Sequence, residues 1–247
     1  MRLAPIALLF FAGTPVLLAC TPASPRADAQ RPPAVEVFEH LEIRTAGASE
    51  DAELPLIVAL HGRGDRPEHF APLFEDFPVP ARVAILRPPH PFGSGLAWFR
   101  TARAEEGSSA RIASELSRHA DRVVATSDAI RRARPTRGAP VVMGFSQGAM
   151  LTYAIAARRP AAFAAAFPVS GLLFPELLEG APTRLPPIRA LHGRSDPLVA
   201  IDDDRRGVAL LRARGADVEL REFDAPHTIT GEMRREIWAA MARALGR

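Results

Sequence analysis

Ser146 stands between Gly144 and Gly148 in the stretch VVMGFSQGAM, where an apolar run ends and helix-forming residues begin. A serine hydroxyl becomes a useful nucleophile only when a base takes its proton, and that base needs a carboxylate to orient it. A serine held on a sharp strand-to-helix turn has crowded neighbours and strained backbone angles, so residues without a side chain are needed around it. The same turn aims the backbone N–H of Gln147 toward an oxyanion developing beside Ser146. A lone G-x-S-x-G is weak evidence, but set between a strand and a helix it points to nucleophilic catalysis.

The remaining parts can be sought along the chain. In IRALHGRSDPLVA, Asp196 falls in a turn just after an apolar run and before a proline. In VELREFDAPHTIT, His227 falls after another run and before the last helical pattern. Asp224, three residues before His227, is the chief rival acid. Asp202, Asp203 and Asp204 precede an amphipathic helix and are expected to be a solvated cap. His192 lies inside its strand pattern and is expected to be packed and hydrogen-bonded, while His40, His69, His90 and His119 have no special context. Upstream, LIVALHGRGDRPEHF runs an apolar strand into a glycine-containing loop, and the backbone N–H of Arg63 could serve as a second oxyanion donor. His61 is expected to shape that loop and not to act as the base. No metal is implied, because the histidines lack HExxH or paired-ligand zinc spacing, and no cofactor is expected.

These residues need a scaffold that brings strand ends together. The runs LPLIVAL, VAILRP, VVMGF, AAFPVS, IRALHG and VELREF read as strands, preceded by an alternating strand in VEVFEHLEIRTA. Continuous apolar strands of this kind are buried on both faces, as in a parallel sheet. Between them SSARIASELSRHADRVVATSDAIRRAR, QGAMLTYAIAARR, DDDRRGVALLRARG and TGEMRREIWAAMARAL carry helical periodicity. The alternation predicts an α/β fold, a mostly parallel central sheet with helices on both faces, and chemistry in the loops after strands. Ser146, Asp196 and His227 all meet that condition, in the chain order Ser, Asp, His of an α/β-hydrolase.

Bulk composition agrees with one large domain: 247 residues, 47% hydrophobic and 24% charged. The net charge is +3, and all 31 basic residues are arginines, interleaved with 28 acidic ones. No basic block or aromatic interleaving is present, which argues against nucleic acid as a partner. The N-terminus, MRLAPIALLFFAGTPVLLAC, has one early positive charge and a short apolar stretch interrupted by proline, as in a secretory signal. Its end, Leu17-Leu18-Ala19-Cys20, resembles the bacterial lipobox, so residues 1–19 are expected to be a signal peptide and Cys20 a lipidated first residue. Cys20 is the sole cysteine, which excludes a disulfide within the chain. Residues 20–34, rich in proline and small residues, read as a tether, and 35–247 as the catalytic domain. The expected location is the cell envelope, at the outer membrane or facing the periplasm in a two-membrane cell, with the lipid anchor as the membrane contact.

Taken together, LHGRGD, the AWFR around Trp98 and Phe99, GFSQGAM, SGLL at Ser170 to Leu173, LHGRSDPLV and PHTIT resemble, in order and spacing, the phospholipase/carboxylesterase family, which includes bacterial carboxylesterases and acyl-protein thioesterases. The resemblance runs from about Leu56 to near the C-terminus. It implies Ser146 as nucleophile, Asp196 as acid, His227 as base, and the N–H groups of Arg63 and Gln147 as the oxyanion hole, acting on a small or lipid-like ester. Arg63 departs from the apolar residue more usual there, and the secretory signal departs from many cytoplasmic relatives. Trp98, Phe99, Leu172, Leu173 and Phe174 are candidates for an acyl pocket, each equally at home in a core. Alternatives on the same fold are a polysaccharide feruloyl or acetyl esterase, a polyester depolymerase and a dienelactone-type hydrolase. A non-catalytic envelope-binding protein would not need the full set of reactive residues.

Overall fold

In the computed structural model, the described residues are 35–100 and 108–246. The signal peptide, Cys20 and the tether lie outside them. Chain order runs β1 (His40–Arg44), β2 (Leu56–Leu60), α1 (Pro67–Phe70), β3 (Arg82–Leu86), β4 (His90–Phe92), β5 (Gly95–Ala97), α2 (Ser108–Ala133), β6 (Val141–Phe145), α3 (Gln147–Arg158), β7 (Ala165–Val169), β8 (Ile188–Gly193), α4 (Ile201–Ala213), β9 (Val218–Phe223) and α5 (Gly231–Ala244). Seven strands make one sheet in the order β1-β3-β2-β6-β7-β8-β9. Only β1 is antiparallel to its neighbour; every other pairing is parallel.

The apolar runs form central strands because both sheet faces are covered. Along β2, Leu56, Val58 and Leu60 point into one core layer with α2, α3 and α4, whereas Ile57 and Ala59 point into the other with α1 and α5. Helix α5 presents Met233, Ile237, Trp238 and Met241 to the sheet, on one helical face, and starts at Thr230, whose hydroxyl accepts the Met233 N–H at 3.2 Å.

Strand order reverses at β2. The chain passes from β2 outward to β3 on one side, then returns to lay β6 against the other side of β2. Such a switch point leaves a crevice at the carboxyl ends of the two strands. The loop after β2 carries Arg63, and the residue after β6 is Ser146.

Two details differ from the sequence expectation. Residues 35–39 do not join the strand that begins at His40. The Phe38 N–H bonds the Thr126 hydroxyl on α2 at 2.8 Å, and the Phe38 ring, 3% exposed, lies under the Arg122 guanidinium, so this segment docks on a helix. A short hairpin, β4–β5, also appears between β3 and α2. Its three-residue strands are too short to show a periodicity.

Candidate active site

The turn at Ser146 is built from β6, α3 and the glycines around them. Ser146 has φ 56° and ψ −116°, an unfavourable backbone conformation for a residue with a Cβ. Its N–H is held by the Val169 carbonyl at 2.9 Å, and its own carbonyl accepts the Met150 N–H at 3.1 Å. The glycines permit this packing. A Cβ on Gly144 would fall 2.2 Å from the Gly148 carbonyl oxygen, and one on Gly148 would fall 2.0 Å from the Leu60 carbonyl oxygen. The end of β2 thus lies directly against the start of α3. A Cβ on Gly62 would come 3.3 Å from the Ser146 Cβ, so the loop bearing Arg63 runs beside the serine.

His227 links the other two residues singled out from sequence. Its Nε2 lies 2.9 Å from Ser146 Oγ, and its Nδ1 lies 2.6 Å from Asp196 Oδ2. An ionised carboxylate only accepts, so Nδ1 carries the hydrogen and the Nε2 lone pair faces the serine hydroxyl. The other Asp196 oxygen, Oδ1, accepts the N–H groups of Leu198 and Val199, both at 2.9 Å. Burial pushes the Asp196 carboxyl upward, but these two N–H bonds and His227 outweigh it and hold the group below the usual carboxylate range. Asp224, the rival acid, is 92% exposed at its side chain and pairs with Arg194 at 2.8 Å, away from the histidine.

Behind Asp196 lies a buried network that corrects one sequence expectation. Asp202, Asp203 and Asp204 occupy the first turn of α4 and not its cap, which is Ala200. Asp202 and Asp203 are ion-paired to Arg205 and Arg206. Asp204 is 1% exposed, accepts the Tyr153 hydroxyl at 2.6 Å, and lies 2.8 Å from His192 Nδ1. Helix position decides this: the third aspartate of the run faces the sheet, toward β8 and α3. His192 Nε2 donates to the Val199 carbonyl at 3.0 Å and lies 3.4 Å from Asp196 Oδ2. Burial pushes the Asp204 carboxyl up. Burial opposes a charge on His192, but Asp204, together with the Val199 carbonyl and Asp196, more than offsets it and raises that group. Residues far apart in sequence build this network, which only the tertiary fold reveals.

The residues expected to form the oxyanion hole are positioned by side chains that the motif does not advertise. Gln147 starts α3, and its side-chain oxygen accepts the Trp98 N–H at 3.0 Å while its side-chain N–H₂ donates to the Phe99 carbonyl at 3.2 Å. The Trp98 indole N–H donates to the His61 carbonyl at 2.8 Å. His61 is fully buried with Nδ1 2.8 Å from the Gly62 carbonyl, as suits a loop-shaping residue, and burial lowers its pKa. The β4–β5 hairpin closes over the same loop: Gly64 N–H bonds the Leu96 carbonyl at 2.7 Å, and Leu96 N–H bonds the Asp65 carbonyl at 3.0 Å. The Arg63 guanidinium extends over the Phe92 ring, 4.8 Å from its centroid.

The five acyl-pocket candidates divide. Trp98 is 0% exposed and Leu173 3% exposed, both within the core layer that contains α2 and α3. Phe99 is also buried and packs edge-on against Phe174, with ring centroids 6.5 Å apart. Leu172 and Phe174 are only partly buried.

No curated protein matches the chain. Among solved structures it is similar to esterase PE8, with a TM-score of 0.74 at 22% identity over 85% of this chain and 100% of that one. It is similar to the Bacillus cereus carboxylesterase, with a TM-score of 0.64 at 19% identity over 84% and 94% of the two chains. It is also similar to acyl-protein thioesterase 2 of Zea mays, with a TM-score of 0.63 at 21% identity over 85% and 100%. At these identities the likeness establishes a shared α/β-hydrolase fold. The model of the phospholipase/carboxylesterase family matches residues 41–241, and the chain therefore belongs to that family.

Proposed function

We propose that the chain is a lipid-anchored serine carboxylesterase of the cell envelope that works through an acyl-enzyme formed on Ser146. That it is a carboxylic ester hydrolase of the α/β-hydrolase fold follows from its family. The observation that carries the finer reading is His227, hydrogen-bonded at once to the Ser146 hydroxyl and to the buried Asp196 carboxylate.

In this mechanism Ser146 Oγ attacks the ester carbonyl carbon as its proton passes to His227 Nε2. The carbonyl π electrons move to oxygen, and the oxyanion is held by the backbone N–H groups of Gln147 and Arg63. Each such donor is worth about 3 kcal/mol of barrier. Collapse of the tetrahedral adduct breaks the bond to the alcohol oxygen, which takes the proton from His227. Water then repeats the sequence on the acyl-enzyme, and the carboxylic acid leaves. Asp196 stays ionised and stabilises the imidazolium. Leu172 and Phe174, with Phe99 beneath, are the side chains proposed to meet the acyl group. The names of the similar structures (esterase, carboxylesterase, acyl-protein thioesterase) support a small or lipid-like acyl substrate.

A fluorophosphonate probe is expected to label the protein at one residue, Ser146, identified by peptide mapping. A chain-length series of p-nitrophenyl esters then bounds the acyl site. Labelling at another serine, or none in folded protein, would remove the mechanism. Leu18-Ala19-Cys20 supports the lipid anchor, and among the described residues no helix is long and apolar enough to cross a membrane. Cys20→Ser is expected to move the protein from the sedimenting membrane fraction to the soluble one; a mutant that still sediments rules lipidation out as the anchor.

A further inference from the structure

Three side chains converge where the β4–β5 hairpin meets helix α2. Glu115 and His119 are four residues apart on α2 and so share a face, and His90 is the first residue of β4. His90 Nε2 lies 2.7 Å from Glu115 Oε1, and His119 Nε2 lies 3.7 Å from the same oxygen. One ligand atom from each of the three falls within 4.8 Å of the others.

His119 makes this more than an ordinary His–carboxylate pair. It is 6% exposed, and among the described residues its ring nitrogens have only weak contacts, with the Glu115 carboxylate at 3.7 Å and with the Trp98 backbone. Buried polar atoms in native proteins are almost always satisfied, and an orphaned one costs free energy. A neutral imidazole nitrogen at this position has a lone pair to give.

We propose that His90, Glu115 and His119 bind a divalent first-row transition ion, zinc being the best fit, through two imidazole nitrogens and one carboxylate oxygen, with water as the fourth ligand. Zinc holds such atoms at about 2.0–2.2 Å, which sets tetrahedral ligands about 3.3 Å apart. The 2.7 Å separation must open and the 3.7 Å separation close, each by about half an ångström, and the two imidazole nitrogens, within 4.8 Å of each other, must approach by up to about 1.5 Å, a movement that rotation of the partly exposed His90 side chain supplies. Magnesium and calcium prefer more oxygen ligands than the site offers. Arg111 Nη1 faces the other carboxylate oxygen, Oε2, at 3.7 Å, which leaves Oε1 for the ion.

The ion's role would be structural. It ties the hairpin to α2, and the hairpin in turn carries Phe92 beneath Arg63 and the Leu96 bonds to the loop after β2. The His119 ring also packs edge-on against Trp98 at 6.4 Å, whose indole holds the His61 carbonyl. The site stands independently of the esterase mechanism, since no ligand takes part in it.

The test uses the purified full-length protein, stripped with chelator and titrated with zinc chloride in a calorimeter. One equivalent is expected to bind. The melting temperature is expected to rise by about 5–10 °C at a free zinc concentration 100-fold above Kd. His90→Ala and Glu115→Gln, both at partly exposed positions and checked for folding by circular dichroism, are each expected to weaken binding about 100-fold or more. His69→Ala, which removes a histidine 3.5 Å from Asp65 on the surface, is expected to leave binding unchanged. Absence of stoichiometric binding, or equal affinity in the folded His90→Ala and Glu115→Gln variants, overturns the proposal.

Discussion

Ser146→Ala is expected to lower kcat/KM for a short p-nitrophenyl ester by about 10⁴–10⁶-fold while leaving the thermal melt within a few degrees of the parent. The proton, the attacking oxygen and the acyl attachment point all belong to this one atom, Ser146 Oγ. What survives is the contribution of the oxyanion donors and of substrate binding, so the residual rate should still exceed that in water. Stability should hold because alanine keeps the Cβ, so the strained backbone at φ 56° and its bond to the Val169 carbonyl are unaltered. The double variant Ser146→Ala/His227→Ala adds a sharper requirement. Residues that act as one unit are not additive, so the second change should cost almost nothing further. A single variant that keeps activity within tenfold of the parent, or a double variant that loses the product of two independent effects, would refute the assignment.

The parts of this site visible in the sequence are those set by short-range rules. Gly144, Ser146 and Gly148 announce the turn because close backbone approach excludes a Cβ, and the distances to Gly148 and Leu60 show why. Asp196 and His227 could be found because a parallel sheet puts functional loops at strand carboxyl ends, and apolar runs mark those ends. Asp204 shows where such rules stop. In the run DDDRR its charge resembles that of its neighbours, and only the rotation of α4 against β8 turns it inward to Tyr153 and His192. Gln147 is a similar case: the motif accounts for its backbone N–H, whereas its side chain fastens Trp98 and Phe99 across forty-eight or forty-nine residues of chain. His90 and His119 were without context in sequence because the unforeseen hairpin is what brings them together. Trp98 and Leu173 lie in the core layer beside α2 and α3, and apolarity alone does not distinguish a pocket wall from a core.

Asp196→Asn is expected to cut kcat by about 10⁴-fold with little change in KM or fold, and the cause can be derived atom by atom. A substituted asparagine could in principle turn either end toward His227. Here its orientation is fixed, because Oδ1 of residue 196 accepts two backbone N–H groups, from Leu198 and Val199, and an amide N–H₂ placed there would face two donors. The amide nitrogen must therefore occupy the Oδ2 position, 2.6 Å from His227 Nδ1. It donates to Nδ1, and the imidazole hydrogen is driven to Nε2. A protonated Nε2 facing Ser146 Oγ cannot accept the serine proton, so geometry is retained and the base is lost. Replacement by alanine would differ, since it leaves those two N–H groups unpaired as well and should cost stability in addition to rate. Steady-state kinetics, a thermal melt and nitrogen NMR of His227 separate the two variants. Wild-type-like activity in Asp196→Asn, or a His227 that still carries its proton on Nδ1, would show that Asp196 does not set the tautomer.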